Sequence, residues 1–368
     1  GALKLTVAGE LRLDGSITAN GLATTSSHYW NNGGGGGSGG SILIRAGSLA
    51  GSGLIAANGG SKTVSGGGGG GGGRVAIHAS TAAFAGTLGA YGGNPLVLDE
   101  GQYGGAGTVV LGQDLVLDND NHSGAETTLP PGVYNFSVVV SKRKAVLSLP
   151  AQAALNYADL YVREGGKLVN VGTLAGGPAS KVLLDSGGEI AHNAGTFTTG
   201  ELTTASTFYD NAALTATSLT VLTGGMFYLN TSLAIPSVSL FSGGVLTHSA
   251  GDPDFDLVVS GGMEVRSGGM VSVDGKGYPG GQGPGKGAEA GTTRADSGGG
   301  GGGYGGRGGS FGGVLGGVTY GSLVEPAGLG SGGGYGYGSY TAGGAGGAGG
   351  GALKLTVAGE LRLDGSIT

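Results

Sequence analysis

Five stretches of the chain share one nine-residue pattern of apolar residues around a Gly-Gly pair. They are LYVREGGKL (Leu160–Leu168), VLLDSGGEI (Val182–Ile190), LTVLTGGMF (Leu219–Phe227), VSLFSGGVL (Val238–Leu246) and MEVRSGGMV (Met263–Val271). The alternation before the glycines places the first and third residues on one face of a β-strand. Because glycine tolerates positive φ, the pair can turn the chain into a second strand with another inward apolar residue. The pattern therefore predicts short strands joined by tight turns.

The spacing of these stretches predicts a stack of similar units. Their starts lie 22, 37, 19 and 25 residues apart, and the interval of 37 fits two turns with one degenerate copy between them. A unit of about 20 residues cannot bury its apolar face alone, but stacked units share a continuous core. We predict an all-β, right-handed parallel β-solenoid. The residues expected to point inward in stacked rows are Leu160, Val162, Leu219, Val221, Val238, Leu240 and Val265.

A longer unit occurs three times near the start of the chain. Leu3–Gly21 aligns without gaps with Ser41–Gly59, and Arg74–Gly93 is a more degenerate copy. A fourth relative spans Leu257–Gly275. The first two units end in Ala-Asn-Gly, and Asn-Gly pairs suit left-handed turn positions. We expect these units to be successive, stacked turns.

The two ends of the chain are identical over 18 residues. GALKLTVAGELRLDGSIT occupies residues 1–18 and again residues 351–368, so the sequence repeats with a period of 350. Residues 343–350, GGAGGAGG, run directly into the second copy. We interpret the chain as a window of a longer repeat or as one subunit of a periodic polymer. A duplication introduced by cloning is the alternative.

Glycine tracts separate the apolar units. They include residues 33–37, 66–73 and 298–303 and the stretch that ends at residue 350. A flexible linker is one interpretation. Because the tracts sit at similar positions between β units, stacking would bring them side by side. We therefore expect extended, polyglycine-II-like segments that hydrogen-bond laterally.

Composition narrows the functional classes. Glycine supplies 92 of 368 residues and only 11 % of residues are charged, yet 38 % are hydrophobic, which is enough for an elongated core. The net charge is −6, and the only basic cluster is Lys142-Arg143-Lys144, which we expect to be a solvated turn. Nucleic-acid binding would need a basic stripe, which the chain lacks, so we expect no nucleic-acid partner. Cysteine is absent, and no apolar run of about 18 residues predicts a membrane span.

The glycine-rich strings resemble a known class of proteins. GGGGGSGGSILIRAGSLAGSGLIAANGG and YGSLVEPAGLGSGGG (Tyr320–Gly334) are similar to the glycine-rich β-helix repeat modules of giant bacterial surface proteins. The resemblance covers residues 1–107 and 257–368 well and residues 108–256 more loosely. It implies an adhesive or fibrous role at the cell surface or outside the cell, and it implies no catalytic residues.

Four segments follow from the repeats and the resemblance. Residues 1–107 are expected to form glycine-rich turns of the solenoid, and residues 108–256 more regular turns. Residues 257–350 combine one turn with a glycine- and tyrosine-rich segment. Residues 351–368 begin the next period.

Few residues suggest a binding site. Asp118 and Asp120 lie in a short Asx-rich loop, and Asp252 and Asp254 alternate beside Gly251, so both pairs could bind calcium or simply form turns. Trp30 tips a polar loop, and Tyr335, Tyr337 and Tyr340 lie among glycines. Exposed aromatic rings there could stack on sugars or on a neighbouring fibre, or could pack locally.

We expect a mechanical protein: a rigid filament, sheath or adhesin stalk whose partners are neighbouring copies or periods of itself. A glycan-binding adhesin is the alternative. A polysaccharide-active enzyme is the third reading, but glycosidases need a carboxylate pair at a defined separation, and the acidic residues are spread thinly along the chain. We expect no catalytic residue and no cofactor, with calcium at the Asp pairs as the one candidate ion.

Overall fold

The computed structural model describes residues 1–24, 34–61, 67–94, 102–185, 187–252, 255–291, 297–337 and 343–368. These residues form β-strands, turns and extended segments, and no helix occurs among them. The predicted all-β class is therefore confirmed. The chain divides into two compact units, residues 1–208 and residues 209–368. Each unit is a set of short strands, as the recurring pattern predicts.

The first unit contains strands β1 to β18 and the start of β19. Their bounds are β1 (Ala2–Arg12), β2 (Ser16–Thr18), β3 (Ser41–Gly51), β4 (Leu54–Ala56), β5 (Arg74–Phe84), β6 (Thr87–Gly89), β7 (Thr108–Leu111), β8 (Asp114–Asp118), β9 (Thr127–Thr128), β10 (Gly132–Asn135), β11 (Val138–Lys142), β12 (Val146–Leu149), β13 (Ala153–Val162), β14 (Lys167–Asn170), β15 (Thr173–Leu184), β16 (Glu189–His192), β17 (Thr196–Thr198), β18 (Glu201–Thr204) and β19 (Thr207–Asp210).

The second unit contains the end of β19 and strands β20 to β31. Their bounds are β20 (Ala213–Thr215), β21 (Ser218–Val221), β22 (Met226–Leu229), β23 (Ser232–Ile235), β24 (Ser237–Leu240), β25 (Val245–Thr247), β26 (Asp256–Val259), β27 (Met263–Val265), β28 (Met270–Val271), β29 (Lys354–Val357), β30 (Leu361–Leu363) and β31 (Ser366–Ile367).

Parallel pairing dominates the first unit. Strands β1, β3, β5, β7, β8, β11, β13, β15 and β18 are neighbours in that order in one sheet, while β2-β4-β6 and β9-β12-β14-β16 form two others. The three long repeats at the start of the chain are indeed successive, because β1, β3 and β5 pair side by side. One connection departs from the predicted parallel pattern. Strands β7 and β8 form an antiparallel hairpin through Gly112, whose φ is +61°.

Three parallel sheets build the second unit, with the orders β21-β24-β27-β30, β22-β25-β28-β31 and β23-β26-β29. Three consecutive strands make one level of the stack, so that β26, β27 and β28 lie on one level and β29, β30 and β31 on the next. We call such a level a rung, and we use the same word in the first unit for the two-strand levels β1 with β2, β3 with β4 and β5 with β6.

The predicted core residues are buried, each with at most 1 % of its surface exposed. They also stack across rungs. In the first unit Leu160 lies opposite Val182 and Val162 opposite Leu184. In the second unit one row joins Val221, Leu240 and Val265. The degenerate copy expected in the 37-residue interval is present as well, because β18 continues the sheet after β15.

Each Gly-Gly pair closes a tight turn, as predicted. The first glycine of all five pairs has a φ between +74° and +81°. Its successor donates a backbone hydrogen bond three residues back, for example from Gly244 to the Phe241 carbonyl at 2.9 Å. The second glycine has a separate role. A Cβ at Gly244 would lie 2.5 Å from the Val221 carbonyl oxygen of the preceding rung, so no side chain fits there.

Described parts of the glycine tracts hydrogen-bond laterally with a three-residue spacing. In the first unit Gly36 and Gly39 donate to the carbonyls of Gly68 and Gly71 in the next tract, at 3.0 and 2.9 Å. The second unit repeats this spacing, since Gly330, Gly333 and Gly336 donate to Gly350, Gly347 and Gly344. A backbone whose donors recur every third residue has three residues per turn, which is the spacing of a polyproline-II helix.

Two turn predictions need correction. Neither Asn20 nor Asn58 has a positive φ. Instead each side-chain oxygen accepts a backbone N–H from the next rung, from Asn58 at 2.8 Å and from Tyr91 at 2.9 Å. Residues 142–145 do form the predicted turn, but Arg143 is not simply solvated. Its guanidinium binds Asp118 and Asp120 and lies over the Tyr91 ring.

Candidate assembly interface

The second copy of the repeated segment, residues 351–368, is the last rung of the second unit. We call it the C-terminal copy. Its strands β29, β30 and β31 pair in parallel with β26, β27 and β28. The apolar residues continue the core rows in register. The pairs are Leu257 with Leu355, Val259 with Val357, Met263 with Leu361, Val265 with Leu363 and Val271 with Ile367.

The first copy, residues 1–18, is the first rung of the first unit. We call it the N-terminal copy. Its strands β1 and β2 pair in parallel with β3 and β4. The same side chains again enter the core rows, but now against the rung that follows them. The pairs are Leu5 with Ile44, Val7 with Ala46, Leu11 with Leu49 and Ile17 with Ile55.

The two copies thus use opposite sides of one segment. The N-terminal copy pairs with the rung that follows it, and the C-terminal copy pairs with the rung that precedes it. Each leaves its other side uncovered, so that Leu3, Leu361 and Leu363 are 38 %, 41 % and 47 % exposed. Such edges are ready templates for pairing with another strand.

Backbone hydrogen bonds at the strand ends and turns show that the two sides use different groups. Toward the following rung, the N-terminal copy donates from Leu13 and accepts at the carbonyls of Gly1, Leu13 and Gly15. Toward the preceding rung, the C-terminal copy donates from Gly351, Lys354, Ala358, Gly359, Asp364, Gly365, Ser366 and Thr368 and accepts at Glu360 and Thr368. Subtracting the 350-residue period maps the donors onto residues 1, 4, 8, 9, 14, 15, 16 and 18 and the acceptors onto residues 10 and 18. No group occurs in both sets, so one segment can bond on both sides at once.

Charged side chains divide in the same way. In the C-terminal copy, Lys354 binds Asp256 at 2.8 Å and Arg362 lies 3.8 Å from Glu264, both on the preceding rung. In the N-terminal copy, Asp14 accepts the Ser52 backbone N–H of the following rung at 3.1 Å. That hydrogen bond is the largest cause of a lowered pKa for Asp14. The Lys354 and Arg362 side chains are mostly exposed, so their ion pairs add little to stability.

The lead-in to the C-terminal copy is fixed by the second glycine array. Gly351 donates to the Val273 carbonyl at 2.8 Å, and Gly349 donates to the Tyr278 carbonyl at 3.0 Å. Gly351 also packs against the His248 ring, where a Cβ would overlap Nε2. Residues 343–350 therefore run into β29, as the sequence predicts.

Two buried ionisable groups lie in the second unit, Asp210 in β19 and His248 beside Gly351, and neither was predicted from the sequence. Burial raises the pKa of Asp210 to about 8, and its Oδ1 has no hydrogen-bond partner in the described part of the chain. Burial likewise lowers the pKa of His248. The His248 Nδ1 lies 2.8 Å from the Ser249 carbonyl. Neither residue belongs to a recognisable motif.

The candidate calcium residues do not form a described metal site. Asp118 binds Arg143 and, at 3.6 Å, Lys142, and Asp120 binds Arg143 at 2.9 Å. These contacts raise the pKa of Arg143, with the Asp118 hydrogen bond as the largest cause. Asp252 lies in a turn, its N–H donating to the Ser249 carbonyl at 3.2 Å. Asp254 lies outside the described residues. Where the structure describes the chain, no three metal-ligating side chains converge.

The candidate adhesive aromatics are only partly described. Tyr335 and Tyr337 are 44 % and 45 % exposed. The Tyr335 ring lies close to Gly281, where a Cβ would come within 2.5 Å of it. Trp30 and Tyr340 lie outside the described residues. The structure thus leaves two half-exposed rings on the second glycine array.

The cluster of Arg143, Asp118, Asp120 and Tyr91 was missed because its members lie far apart in sequence. The hydrogen bonds of Asn20 and Asn58 could have been predicted, because Ala-Asn-Gly recurs at the same place in two aligned repeats. The recurrence predicts side chains stacked one above the other as well as it predicts a turn.

Comparison with protein-family models, curated proteins and solved structures found no match to this chain. No described segment forms a helix long and apolar enough to cross a bilayer.

Proposed function

We propose that this chain is one period of an extracellular or cell-surface structural fibre. In this fibre the periods join into one right-handed parallel β-solenoid, flanked by polyglycine-II-like arrays. The fibre has a mechanical role: it forms a rigid filament, sheath or adhesin stalk. Its main partners are neighbouring periods or copies of itself.

One observation carries the proposal: the two identical 18-residue segments pair on opposite sides, with non-overlapping backbone donors and acceptors at the strand ends and turns. If one segment occupied both roles, the row Leu257–Leu355 would continue as Leu5–Ile44. Likewise, the row Val271–Ile367 would continue as Ile17–Ile55. Every side chain at the junction would keep a neighbour that it already has in one of the two units. A duplicated tail without this role would have no reason to fit both ends.

Electron microscopy of a chain with two covalent periods tests this proposal. We expect straight rods of constant width, with the central copy paired on both sides. Pairs of beads with variable separation would contradict it. A second chain in which Leu355 and Val357, at the junction between the periods, are replaced by Asp is the control, and it should kink or separate there.

A glycan-binding adhesin remains the second candidate, because Tyr335 and Tyr337 present half-exposed rings on one array. Aromatic rings of this kind can stack on sugars, and two of them on one surface would give a small platform. A glycan array probed with the wild-type chain and with a Tyr335→Ala/Tyr337→Ala variant tests this. Binding that the double substitution abolishes would support the adhesin.

The enzyme reading gains no support from the cavity beside β5 and β7. Its volume is about 440 Å³, and apolar residues such as Val75, Val110 and Leu115 line it together with Arg74 and His78. None of the described residues that line it is an Asp or a Glu. It therefore offers no carboxylate pair of the kind that glycosidases use. A reducing-sugar assay on polysaccharides would test this reading.

A further inference from the structure

We propose that the side of β26–β28 covered by the C-terminal copy is an exchangeable binding site. It can bind either the C-terminal copy of its own chain or the N-terminal copy of a second chain. This inference rests on the proposed function and adds to it a non-covalent route of assembly, in which separate chains join head to tail. The partner is a second copy of this chain, and its binding element is residues 1–18.

The identity of the ligand follows from the sequence. Every contact that the C-terminal copy makes with this face can be made by the N-terminal copy, because the residues are the same. Lys4 would replace Lys354 at Asp256, and Thr18 would replace Thr368 at the Ser272 hydroxyl, a hydrogen bond of 3.0 Å. Leu5 would replace Leu355 against Leu257, which is fully buried.

The N-terminal copy can accept this role without leaving its own unit. Its core side chains already lie in the rows of β3 and β4, and Lys4 and Thr18 are exposed. The groups it would need are those that its pairing with the following rung leaves unused at the strand ends. Binding would then add a strand to an existing sheet edge, which is a common mode of peptide recognition.

The resident C-terminal copy is held on one side only in this structure, by groups that an identical segment can replace. Leu361 and Leu363 are exposed on its other side. Its lead-in stays on the second glycine array, since Gly344, Gly347 and Gly350 accept backbone hydrogen bonds from Gly336, Gly333 and Gly330. Release would expose the buried side chains of β26–β28, such as Leu257 and Val265, and the incoming copy would cover them again. The covalent link gives the resident copy a high effective concentration, so the second chain binds mainly when the resident copy is weakened.

The test weakens the resident copy in the full-length chain. A Leu355→Asp substitution places a charge against Leu257 and disfavours the resident rung, while residues 1–18 stay intact. We expect this variant to form head-to-tail dimers and longer oligomers by light scattering, with an affinity at least about tenfold above that of the wild-type chain. The matched control adds Leu5→Asp, which weakens the incoming segment equally. That double variant should remain monomeric, and adding a peptide of residues 1–18 should dissolve the oligomers of the single variant.

Equal association of the single and double variants would mean non-specific aggregation and would overturn the proposal. A folded, monomeric Leu355→Asp variant that does not bind a labelled peptide of residues 1–18 would also overturn it.

A second measurement keeps the test decisive if Leu355→Asp fails to fold. A protease site placed in the exposed lead-in, between Gly347 and Ala348, lets the resident copy be cut from the folded wild-type chain. A labelled peptide of residues 351–368 should then exchange into the cut protein, and a scrambled peptide should not. Absence of exchange would overturn the inference but would leave the covalent rod intact, so the two proposals fail separately.

Discussion

At the scale of single residues, the two glycines of each pair do different work. Gly243 has a φ of +75°, a conformation that residues with side chains disfavour. Its neighbour Gly244 lies against the Val221 carbonyl of the preceding rung, which leaves no room for a side chain. The first role could be predicted from the sequence, because Gly-Gly between apolar strands is typical of a tight turn. The second could not, since it depends on which backbone lies one rung below.

The buried rows predict that a charge inside them is poorly tolerated. Val221 is fully buried and lies opposite Leu240. We expect Val221→Asp to destabilise the protein by several kcal/mol, because it buries an unpaired carboxylate. Thr220→Asp is the matched control, since Thr220 points to the other face of the same strand and is only half-buried. Thermal unfolding of both variants measures the difference, and equal melting temperatures would show that the inward face is misassigned.

The buried carboxyl of Asp210 predicts a pH dependence of stability. Burial raises its pKa from the usual 3.8 to about 8 in the folded protein. The folded state therefore holds a proton that the unfolded state releases, so this contribution is complete below about pH 4 and is lost as the pH rises toward 8. We expect the wild-type chain to lose stability relative to Asp210→Asn between about pH 5 and about pH 8. Urea unfolding at both values measures this, and parallel pH profiles would contradict it.

At the scale of elements, the strands and turns were more predictable than the polar clusters. Period-two alternation located the buried strands, and the degenerate copy appeared where the spacing required it. The Arg143 turn was different, because its partners Asp118 and Tyr91 lie 25 and 52 residues away and no local pattern joins them. The antiparallel hairpin of β7 and β8 was also missed, since alternation gives strand position but not strand direction.

Among the candidate site residues, the sequence identified the copies but not their geometry. The identity of residues 1–18 with residues 351–368 predicted that both ends occupy related environments. Which side each copy uses could only come from the pairing of β1 with β3 and of β29 with β26.

The glycine arrays predict that neighbouring glycines differ sharply in their tolerance of a methyl group. A Cβ at Gly70 would overlap the Gly37 carbonyl oxygen in the adjacent tract, whereas a Cβ at Gly71 would meet nothing within 4 Å. We expect Gly70→Ala to cost about 1–3 kcal/mol through overpacking and Gly71→Ala to cost much less. Denaturant unfolding of the two variants compares them directly. Similar stability of both would mean that the tracts are not packed side by side.

At the scale of the whole molecule, the proposed fibre repeats along its axis once per 350-residue period. Stacked strands lie about 4.8 Å apart, so about 10–15 turns per period would give a repeat of about 50–70 Å. Fibre diffraction from aligned multi-period chains should show a meridional reflection near the strand spacing together with this longer period. If the reflection of the longer repeat were absent, residues 1–18 and 351–368 would not occupy equivalent positions along one fibre axis, which would contradict the proposed fibre.

In the proposed fibre, one 18-residue segment joins successive rungs on both of its sides. High-resolution electron microscopy of a chain with two covalent periods tests it most directly. We expect the central copy to pair at the same time with the β26–β28 rung before it and with the β3 and β4 strands after it, in the registers seen separately at the two ends. A central copy paired on one side only, with a gap or flexible joint on the other, would contradict it.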